Sequence, residues 1–360
     1  MHDLTELKQY VGAHARTQRL QRHQEVLDRI RNDGTGPGSW VHEWSTEASR
    51  LERRGAQQDA LRRYVMARFP FVDGPARQEA QDGLLRTFDK WRTGKDIHPL
   101  EVKFKSGVIR AWQSGLSATE RRPLVVLSGG IVAVKEQWAQ SLPVLKRLGL
   151  AAIATEMPGT GENTMPYDGD SWQMLPALLD AVADRADVSR TYALMFSFSG
   201  HLALRAAMED ARIKGIVSAG TPLIKFFADR AWHRQIPKLT GDTLAHLTGV
   251  DRDQLFEHLR DWALPPRGLS TVGIPVSYVA SLRDEIIPQS DTVALRRYLT
   301  NVHILSHDDV HAAPRYWQQT QVFVIRSLLR MAGARDVHRL LIEALWPVVQ
   351  ARGRLIRPPA

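Results

Sequence analysis

The chain has 360 residues, of which 43% are hydrophobic and 24% charged, and a formal net charge of +9. This composition excludes a disordered or fibrous protein, and the length is sufficient for one large core and a smaller accessory unit. The absence of cysteine excludes a disulfide scaffold, a cysteine-ligated metal centre and a cysteine nucleophile. Because basic residues are mixed with acidic ones along most of the chain, as on a solvated surface, we expect no nucleic-acid partner.

The N-terminal sequence lacks the basic and then apolar segments of a secretory signal. No apolar run reaches the length that spans a bilayer. The cysteine-free composition also fits a reducing compartment. We therefore expect a cytoplasmic protein with no membrane partner.

Residues 1–98 carry helical patterns and almost no strand signal. Leu4, Leu7 and Val11, for example, recur at the spacing of one helix face. The glycine-rich segment 33–38 separates two helical parts. We predict a helical N-terminal domain over 1–98.

The pattern changes near residue 100. Alternating residues 100–105 and the apolar run 108–112, joined by Ser106-Gly107, predict a β-hairpin. Short apolar runs then alternate with helical patterns, among them a predicted helix over 136–148. The predicted strands are 123–127, 151–155, 192–196, 215–218, 275–280 and 302–305. Alternating β and α units predict an α/β fold with a mostly parallel sheet and helices on both faces.

We assign the α/β domain to residues 99–334, with a helical insertion over 222–269. Residues 335–360 form a predicted C-terminal helix and tail, with apolar residues on one side of the helix. That side either packs on its own domain or pairs two protomers into a homodimer.

The strand 192–196 runs into a serine-rich turn and then a helix. A serine at such a turn is the nucleophile elbow of α/β hydrolases, written G-x-S-x-G. Two frames compete, one with Ser197 as nucleophile and one with Ser199, and neither has both glycines. Ser197 is favoured because the Ser199 frame puts the bulky His201 where the turn needs a small residue. The pair could alternatively cap the helix N-terminus.

Two later loops supply partners for this serine. Asp284 follows the strand 275–280, and His311 follows the strand 302–305. The chain order Ser, Asp, His is that of the α/β-hydrolase fold, in which the imidazole takes the serine proton and the carboxylate fixes the imidazole tautomer.

Alternatives stay open at both positions. Glu285 competes with Asp284, although its side chain is expected to point elsewhere. His307 competes with His311 but comes too soon after the strand. His307 and His311 also have the spacing of metal ligands, yet no third ligand has convincing spacing, so we expect no metal.

An oxyanion hole needs backbone N–H donors near the nucleophile. Phe198, directly after Ser197, supplies one N–H in this interpretation. The other comes from Gly130 or Ile131 in the loop after the strand 123–127, where glycine lets backbone approach a substrate. The same Gly129-Gly130 pair is also compatible with a simple tight turn.

Other residues are weaker candidates for binding a substrate. Glu162, in the loop Glu156-Met-Pro-Gly-Thr-Gly-Glu162, either contacts substrate or braces its loop. Aromatic residues of the insertion and of the helical region suggest an apolar substrate, with packing as the alternative for each. These aromatic residues are Phe226, Phe227, Trp232, Trp40 and Trp44.

These motifs together resemble the FrsA-type esterase, or dihydroxypseudooxynicotine-hydrolase-like, branch of the α/β-hydrolase superfamily. The resemblance covers roughly residues 45–330. It is carried by the triad residues and by the following segments: Gly129-Gly130 with Lys135-Glu136, the loop Pro158-Gly-Thr-Gly-Glu162, and Ala67-Arg-Phe-Pro70. Met195 and Ser199 replace the elbow glycines, and Glu156 stands where the branch often has Asp.

The resemblance implies that the N-terminal helices form a cap over the site and that no cofactor is used. It also implies cleavage of an ester, a thioester or a carbon–carbon bond beside a ketone, in an apolar, aromatic or polyketide-like small molecule. Two alternatives remain: a cyclase, lyase or acyltransferase with the same residues, and a non-catalytic binding or regulatory protein.

Overall fold

The computed structural model describes residues 2–334 and 337–354. Within them, no helix combines the length and the apolar character needed to cross a bilayer. The chain divides into two compact units.

The helical unit contains the chain up to Asp96 together with Pro237–His246. The α/β unit contains Ile97–Ile236 and the chain from Leu247 onward. The sequence-based division at residue 98 kept the whole insertion with the α/β domain, whereas this grouping assigns 237–246 to the helical unit.

The N-terminal part of the helical unit consists of helices α1 (Leu4–His14), α2 (His23–Leu27), α3 (Trp40–Arg53), α4 (Gln57–Arg68) and α5 (Pro75–Arg92). Trp40 and Trp44 on α3 are fully buried, with ring centroids 5.9 Å apart. The Trp40 indole N–H donates to the Met66 carbonyl on α4 at 2.7 Å. Both tryptophans therefore pack in the core of this unit.

The α/β unit is built on strands β1 (His98–Phe104), β2 (Gly107–Ser114), β3 (Pro123–Ser128), β4 (Ala151–Ala154), β5 (Asp187–Met195), β6 (Ile213–Ala219), β7 (Val276–Ser281) and β8 (Val302–His307). They form one eight-stranded sheet in the order β1-β2-β4-β3-β5-β6-β7-β8. The hairpin β1–β2 and the pair β2–β4 are antiparallel, and all other pairs are parallel. The predicted α/β sheet is confirmed.

The remaining helices are α6 (Lys135–Ala139), α7 (Leu142–Arg147), α8 (Met174–Val182), α9 (Phe198–Ala207), α10 (Lys225–Ala228), α11 (Arg230–His233), α12 (Lys238–Thr248), α13 (Leu255–Leu259), α14 (Pro266–Thr271), α15 (Gln289–Tyr298), α16 (Trp317–Met331) and α17 (Val337–Arg354). The predicted helix over 136–148 is two helices, α6 and α7, because the chain turns at Gln140-Ser141 and Pro143 lies in the first turn of α7. Helices α10 to α14 make up the insertion between β6 and β7.

Helix α12 explains why 237–246 groups with the N-terminal helices. The Glu6 carboxylate on α1 accepts the backbone N–H groups of Lys238 and Leu239 at 2.9 and 2.6 Å. An anionic group at a helix N-terminus satisfies N–H groups that have no partner within the helix. Phe71 and His246 also stack with ring centroids 4.0 Å apart.

The C-terminal helix α17 packs on α16. Glu343 accepts from Arg326 and Arg330 at 2.8 and 2.5 Å. Leu340 and Leu341 are 68% and 62% exposed on this helix. Residues 355–360 of the predicted C-terminal helix and tail lie outside the described residues, and the homodimer stays a prediction.

Six parallel strands bring their carboxyl ends to one edge of the sheet: β3, β4, β5, β6, β7 and β8. Strands β3 and β4 are buried along nearly their whole length, as their continuous apolar sequences predict. Ligands of open α/β sheets bind at the carboxyl edge, so a functional site is expected in the loops that follow these strands.

Candidate active site

Ser197 lies at the turn between β5 and α9. Its φ of 56° and ψ of −130° are a strained conformation for a residue with a side chain. The turn is held by two backbone hydrogen bonds, from Ser197 N–H to Ala219 O at 2.8 Å and from Gly200 N–H to Ser197 O at 2.9 Å. The serine is therefore kept in an unusual backbone geometry by its neighbours.

The structure separates the two serines of the elbow. Ser199 is fully buried, and its hydroxyl donates to the carbonyls of Ser128 and Phe196 at 3.1 and 2.9 Å. It thus occupies a structural position inside the turn. Gly200 provides the close packing of this turn, because a Cβ there would collide with the hydroxyls of Ser218 and Thr221.

His311 connects Ser197 to Asp284. Its Nε2 is 3.2 Å from Ser197 Oγ, and its Nδ1 is 2.9 and 3.0 Å from the two Asp284 oxygens. With the Nδ1–H donating to the carboxylate, Nε2 is the acceptor for the serine hydroxyl. Burial alone would lower the pKa of His311, but the Asp284 carboxylate outweighs it and raises that pKa above 6.5.

Backbone and side-chain hydrogen bonds hold the Asp284 loop and the His311 loop. Asp284 Oδ1 accepts the N–H groups of Ile286 and Ile287 at 3.0 and 2.8 Å. Glu285, the alternative acid, accepts the backbone N–H of His311 at 3.0 Å. It therefore holds the histidine loop, while Asp284 holds the imidazole ring.

His307, the alternative histidine, is the last residue of β8. Its ring stacks on Tyr316 at 4.3 Å, and burial lowers its pKa to about 4. The structure therefore places His307 in a packed, neutral environment. Within the described residues, no group of three His, Cys, Asp or Glu side chains is arranged to hold a metal ion.

Two features around His311 were missed by the sequence reasoning. Gly220, at φ +56°, lies against the imidazole, and a Cβ there would be 2.9 Å from Nδ1. Ala312 and Ala313 adopt φ values of 66° and 48° directly after the histidine, which is strained for alanine. In the sequence, the position of Gly220 shortly after a predicted strand was the only indication of its role. Nothing in the sequence indicated the backbone strain at the two alanines.

The loop after β3 reaches the nucleophile. A Cβ on Gly130 would be 2.9 Å from Ser197 Cβ and 3.1 Å from Ser197 Oγ, so only glycine allows this approach. Among the hydrogen bonds of the described residues, the N–H groups of Phe198 and Ile131 have no acceptor. Both are available to a negatively charged oxygen.

The weaker substrate-binding candidates make hydrogen bonds or packing contacts with neighbouring parts of the protein. Glu162 accepts from the Lys135 ammonium at 2.6 Å, which braces its loop. Phe226 is fully buried, and its ring meets Phe198 edge-on at 5.2 Å. The half-buried Trp232 donates its indole N–H to the carbonyl of Ile286, next to the Asp284 loop, at 2.8 Å.

A family model for FrsA-like esterases matches residues 3–294. This chain belongs to the FrsA-like esterase family. Among curated members, Esterase FrsA of Vibrio cholerae serotype O1 is 24% identical over 314 residues, 80% of this chain and 75% of the relative. Esterase FrsA of Vibrio vulnificus is 23% identical over 315 residues, with the same coverage.

Solved structures share the fold of this chain. The structure of AbyA5 wild type is 48% identical, with a TM-score of 0.94 over 97% of this chain and 100% of that one. The 2,6-dihydroxy-pseudo-oxynicotine hydrolase shares the fold at 19% identity and a TM-score of 0.63, over 89% of each chain. The resemblance and fold predicted from the sequence are confirmed, and the chain is a hydrolase of the α/β-hydrolase superfamily.

Proposed function

We propose that this hydrolase uses Ser197 as nucleophile, His311 as general base and acid, and Asp284 as the group that orients His311. The observation that carries the proposal is the hydrogen-bonded series from Ser197 Oγ through His311 to Asp284 at a strained turn. A partly buried serine with an adjacent neutral imidazole is the arrangement that activates a hydroxyl at neutral pH.

In this mechanism Ser197 Oγ bonds to the substrate carbonyl carbon while its proton passes to His311 Nε2. The carbonyl oxygen becomes an oxyanion, which accepts from the N–H groups of Phe198 and Ile131. Collapse breaks the bond to the leaving group, which takes the proton from His311 and leaves an acyl ester on Ser197. Water then gives a proton to His311, attacks the acyl carbon and releases the acid, and the proton returns to Ser197.

The proposed substrate is a small molecule with an ester, a thioester or a carbon–carbon bond beside a ketone. A polyketide-like substrate stays a prediction from the resemblance. Trp40, Trp44 and Phe226 pack in protein cores, so they give no support to an apolar substrate. Support for this substrate class comes from the family and from the reacting groups.

The test is labelling with a fluorophosphonate probe, followed by peptide mass mapping. We expect labelling at Ser197 in the wild type, no labelling at that position in Ser197→Ala, and strongly slowed labelling in His311→Ala. Labelling at another serine, or an unlabelled folded protein that also fails to cleave small p-nitrophenyl esters, would contradict the proposal.

Turnover in H₂¹⁸O then separates hydrolysis from the alternative reactions. Hydrolysis places one ¹⁸O in the released acid, because water attacks the acyl carbon. Elimination or transfer to another acceptor leaves the released acid or the product without ¹⁸O from water. If the product contains no ¹⁸O and its formation requires Ser197, the enzyme carries out elimination or transfer instead of hydrolysis.

A further inference from the structure

A second polar cluster lies outside the Ser197 site. Lys135, at the start of α6, is 1% exposed. Its ammonium is 3.0 Å from Glu136, 3.1 Å from Glu156 and 2.6 Å from Glu162. Burial alone would lower the pKa of Lys135, but the three carboxylates raise it above its ordinary value, so this lysine stays charged.

One carboxylate joins two loops of the α/β unit. Glu156 follows β4, and it accepts the backbone N–H of Lys135 at 2.9 Å and that of Glu162 at 2.7 Å. Gly161, at φ +60°, leaves the space that this carboxylate fills, because a Cβ there would lie 2.5 Å from the carboxyl carbon. The loop after β3 and the loop after β4 are thus bound to the same group.

The Glu156 carboxyl is the most heavily buried acid of this cluster. Burial and the neighbouring Glu136 raise its pKa to about 7, against the lowering effect of Lys135. Glu136 also accepts the indole N–H of Trp112 on β2 at 2.8 Å. One ammonium therefore joins a carboxylate of α6 to two carboxylates of the loop after β4, and Glu136 links the cluster to β2.

A short series of contacts leads from this cluster to the nucleophile. The Thr160 hydroxyl, between Glu156 and Glu162, donates to the carbonyl of Ile131 at 3.1 Å. Gly130, the preceding residue, lies against Ser197. The residue that carries one proposed oxyanion donor is therefore held, through its carbonyl, by the loop that Lys135 fixes.

We propose that Lys135 is a positioning residue for catalysis: it fixes the loop after β4 so that Thr160 holds Ile131 with its N–H available to the oxyanion. The inference rests on the proposed function, because it concerns an oxyanion donor of that site. Donors that are held in place before the reaction need no reorganisation during it, so a small displacement lowers the rate more than it weakens binding.

The test compares two threonines with the same chemistry. Thr160→Val removes the hydroxyl that holds Ile131. The matched control is Thr191→Val on β5, where a fully buried threonine hydroxyl donates to the Val188 carbonyl at 2.8 Å. Both changes remove one hydroxyl-to-carbonyl hydrogen bond and keep the side-chain shape.

The readout is phosphonylation of Ser197, measured as the rate constant at saturating fluorophosphonate and the half-saturating concentration. Because the phosphonyl oxygen uses the oxyanion donors, we expect Thr160→Val to lower the rate constant about 10- to 100-fold. The half-saturating concentration stays close to the wild-type value. Thr160→Ser restores the rate, and Thr191→Val keeps it, although both valine variants lose thermal stability.

The charge of the cluster is tested with Lys135→Met and Glu162→Gln. Both are expected to lower the rate constant of phosphonylation in folded protein and to speed amide hydrogen exchange in peptide 128–136, which Thr191→Val does not do. If Lys135→Met fails to fold, Glu162→Gln carries this test, because it keeps a hydrogen-bond acceptor at a partly exposed position.

Two outcomes would overturn the inference, and they are distinguishable from each other. If the wild type is labelled at Ser197 while Thr160→Val and Glu162→Gln react at the wild-type rate, the positioning role is wrong and the proposed function stands. If the folded wild type is not labelled at Ser197, the proposed function fails and the inference fails with it.

Discussion

The Ser197 site and the Lys135 cluster lie after neighbouring strands of one sheet, yet they are built differently. The Ser197 site contains backbone strain at Ser197, Ala312 and Ala313, and its serine hydroxyl has a single long contact of 3.2 Å to His311. In the Lys135 cluster, one Glu136 oxygen is the only buried side-chain oxygen or nitrogen that lacks a hydrogen-bond partner among the described residues. Strain and an incompletely paired hydroxyl mark the proposed nucleophile, whereas dense pairing marks its proposed support.

This difference predicts whether a substitution at the Ser197 site or in the Lys135 cluster alters the reaction rate, the stability or both. A change at the Ser197 site should alter rate and pH dependence in a protein of nearly normal stability. A change in the Lys135 cluster should alter stability as well.

Asp284→Asn should lower kcat on a p-nitrophenyl ester about 10⁴-fold, because the amide favours the wrong imidazole tautomer. The wild-type rate should fall as the pH drops through the raised pKa of His311, since only the neutral imidazole is a base. Without the carboxylate, burial lowers that pKa, so the acid limb of the residual activity should move to lower pH. Steady-state kinetics across pH measure both effects; an unmoved limb would contradict the assignment.

Gly130→Ala should slow ester cleavage about 10²-fold, because the new Cβ displaces the oxyanion loop or the serine. The control is Gly12→Ala on α1, where a Cβ meets no atom within 4 Å. The comparison uses kcat and the melting temperature of both variants. Equal kcat in the two alanine variants would show that the loop is not tightly placed.

Glu156→Gln should destabilise the protein by about 3 kcal/mol, since a buried ammonium loses one of its anionic partners. The amide also cannot accept at both ends, so either the Lys135 or the Glu162 N–H is left unpaired. Urea denaturation, followed by circular dichroism, measures the free energy of unfolding. A loss below about 0.5 kcal/mol would mean that the cluster is no more than a surface-like ion pair.

Ser199→Ala should give the smallest effect, a loss of about 1 kcal/mol from one buried hydroxyl hydrogen bond. The fluorophosphonate label should remain on Ser197, as peptide mapping would show. Labelling at Ser199 in the wild type, lost in Ser199→Ala, would instead favour Ser199 as the nucleophile of the elbow.

The order of the triad candidates was predictable because each follows a recognisable apolar strand. Asp284 and His311 stand just after β7 and β8, and parallel strands bring such positions together. Their hydrogen bonds could not be derived from spacing, since they depend on strained residues such as Ala312 that carry no sequence signal.

The Lys135 cluster was only partly predictable. The segments Lys135-Glu136 and Glu156 to Glu162 were singled out as motifs, and Glu162 was expected either to brace its loop or to touch substrate. That one ammonium holds all three carboxylates could not be seen, because the partners are up to 27 residues apart and belong to different loops.

The assignment of 237–246 to the helical unit was also beyond the sequence reasoning. The helical pattern of the insertion was clear, but amphipathic spacing identifies a buried face without naming what covers it. The decisive contact is the capping of α12 by Glu6.

That cap has a consequence for how the protein is made. The Glu6 carboxylate and the Lys238 N–H are separated by 232 residues of chain. At roughly 5 to 20 residues per second on the ribosome, the first helices wait on the order of 10 to 50 s for their last partner. During this interval the helical unit is incomplete while much of the central sheet has already been synthesised, so the N-terminal helices are the part of the nascent chain with the longest exposure to chaperones and proteases.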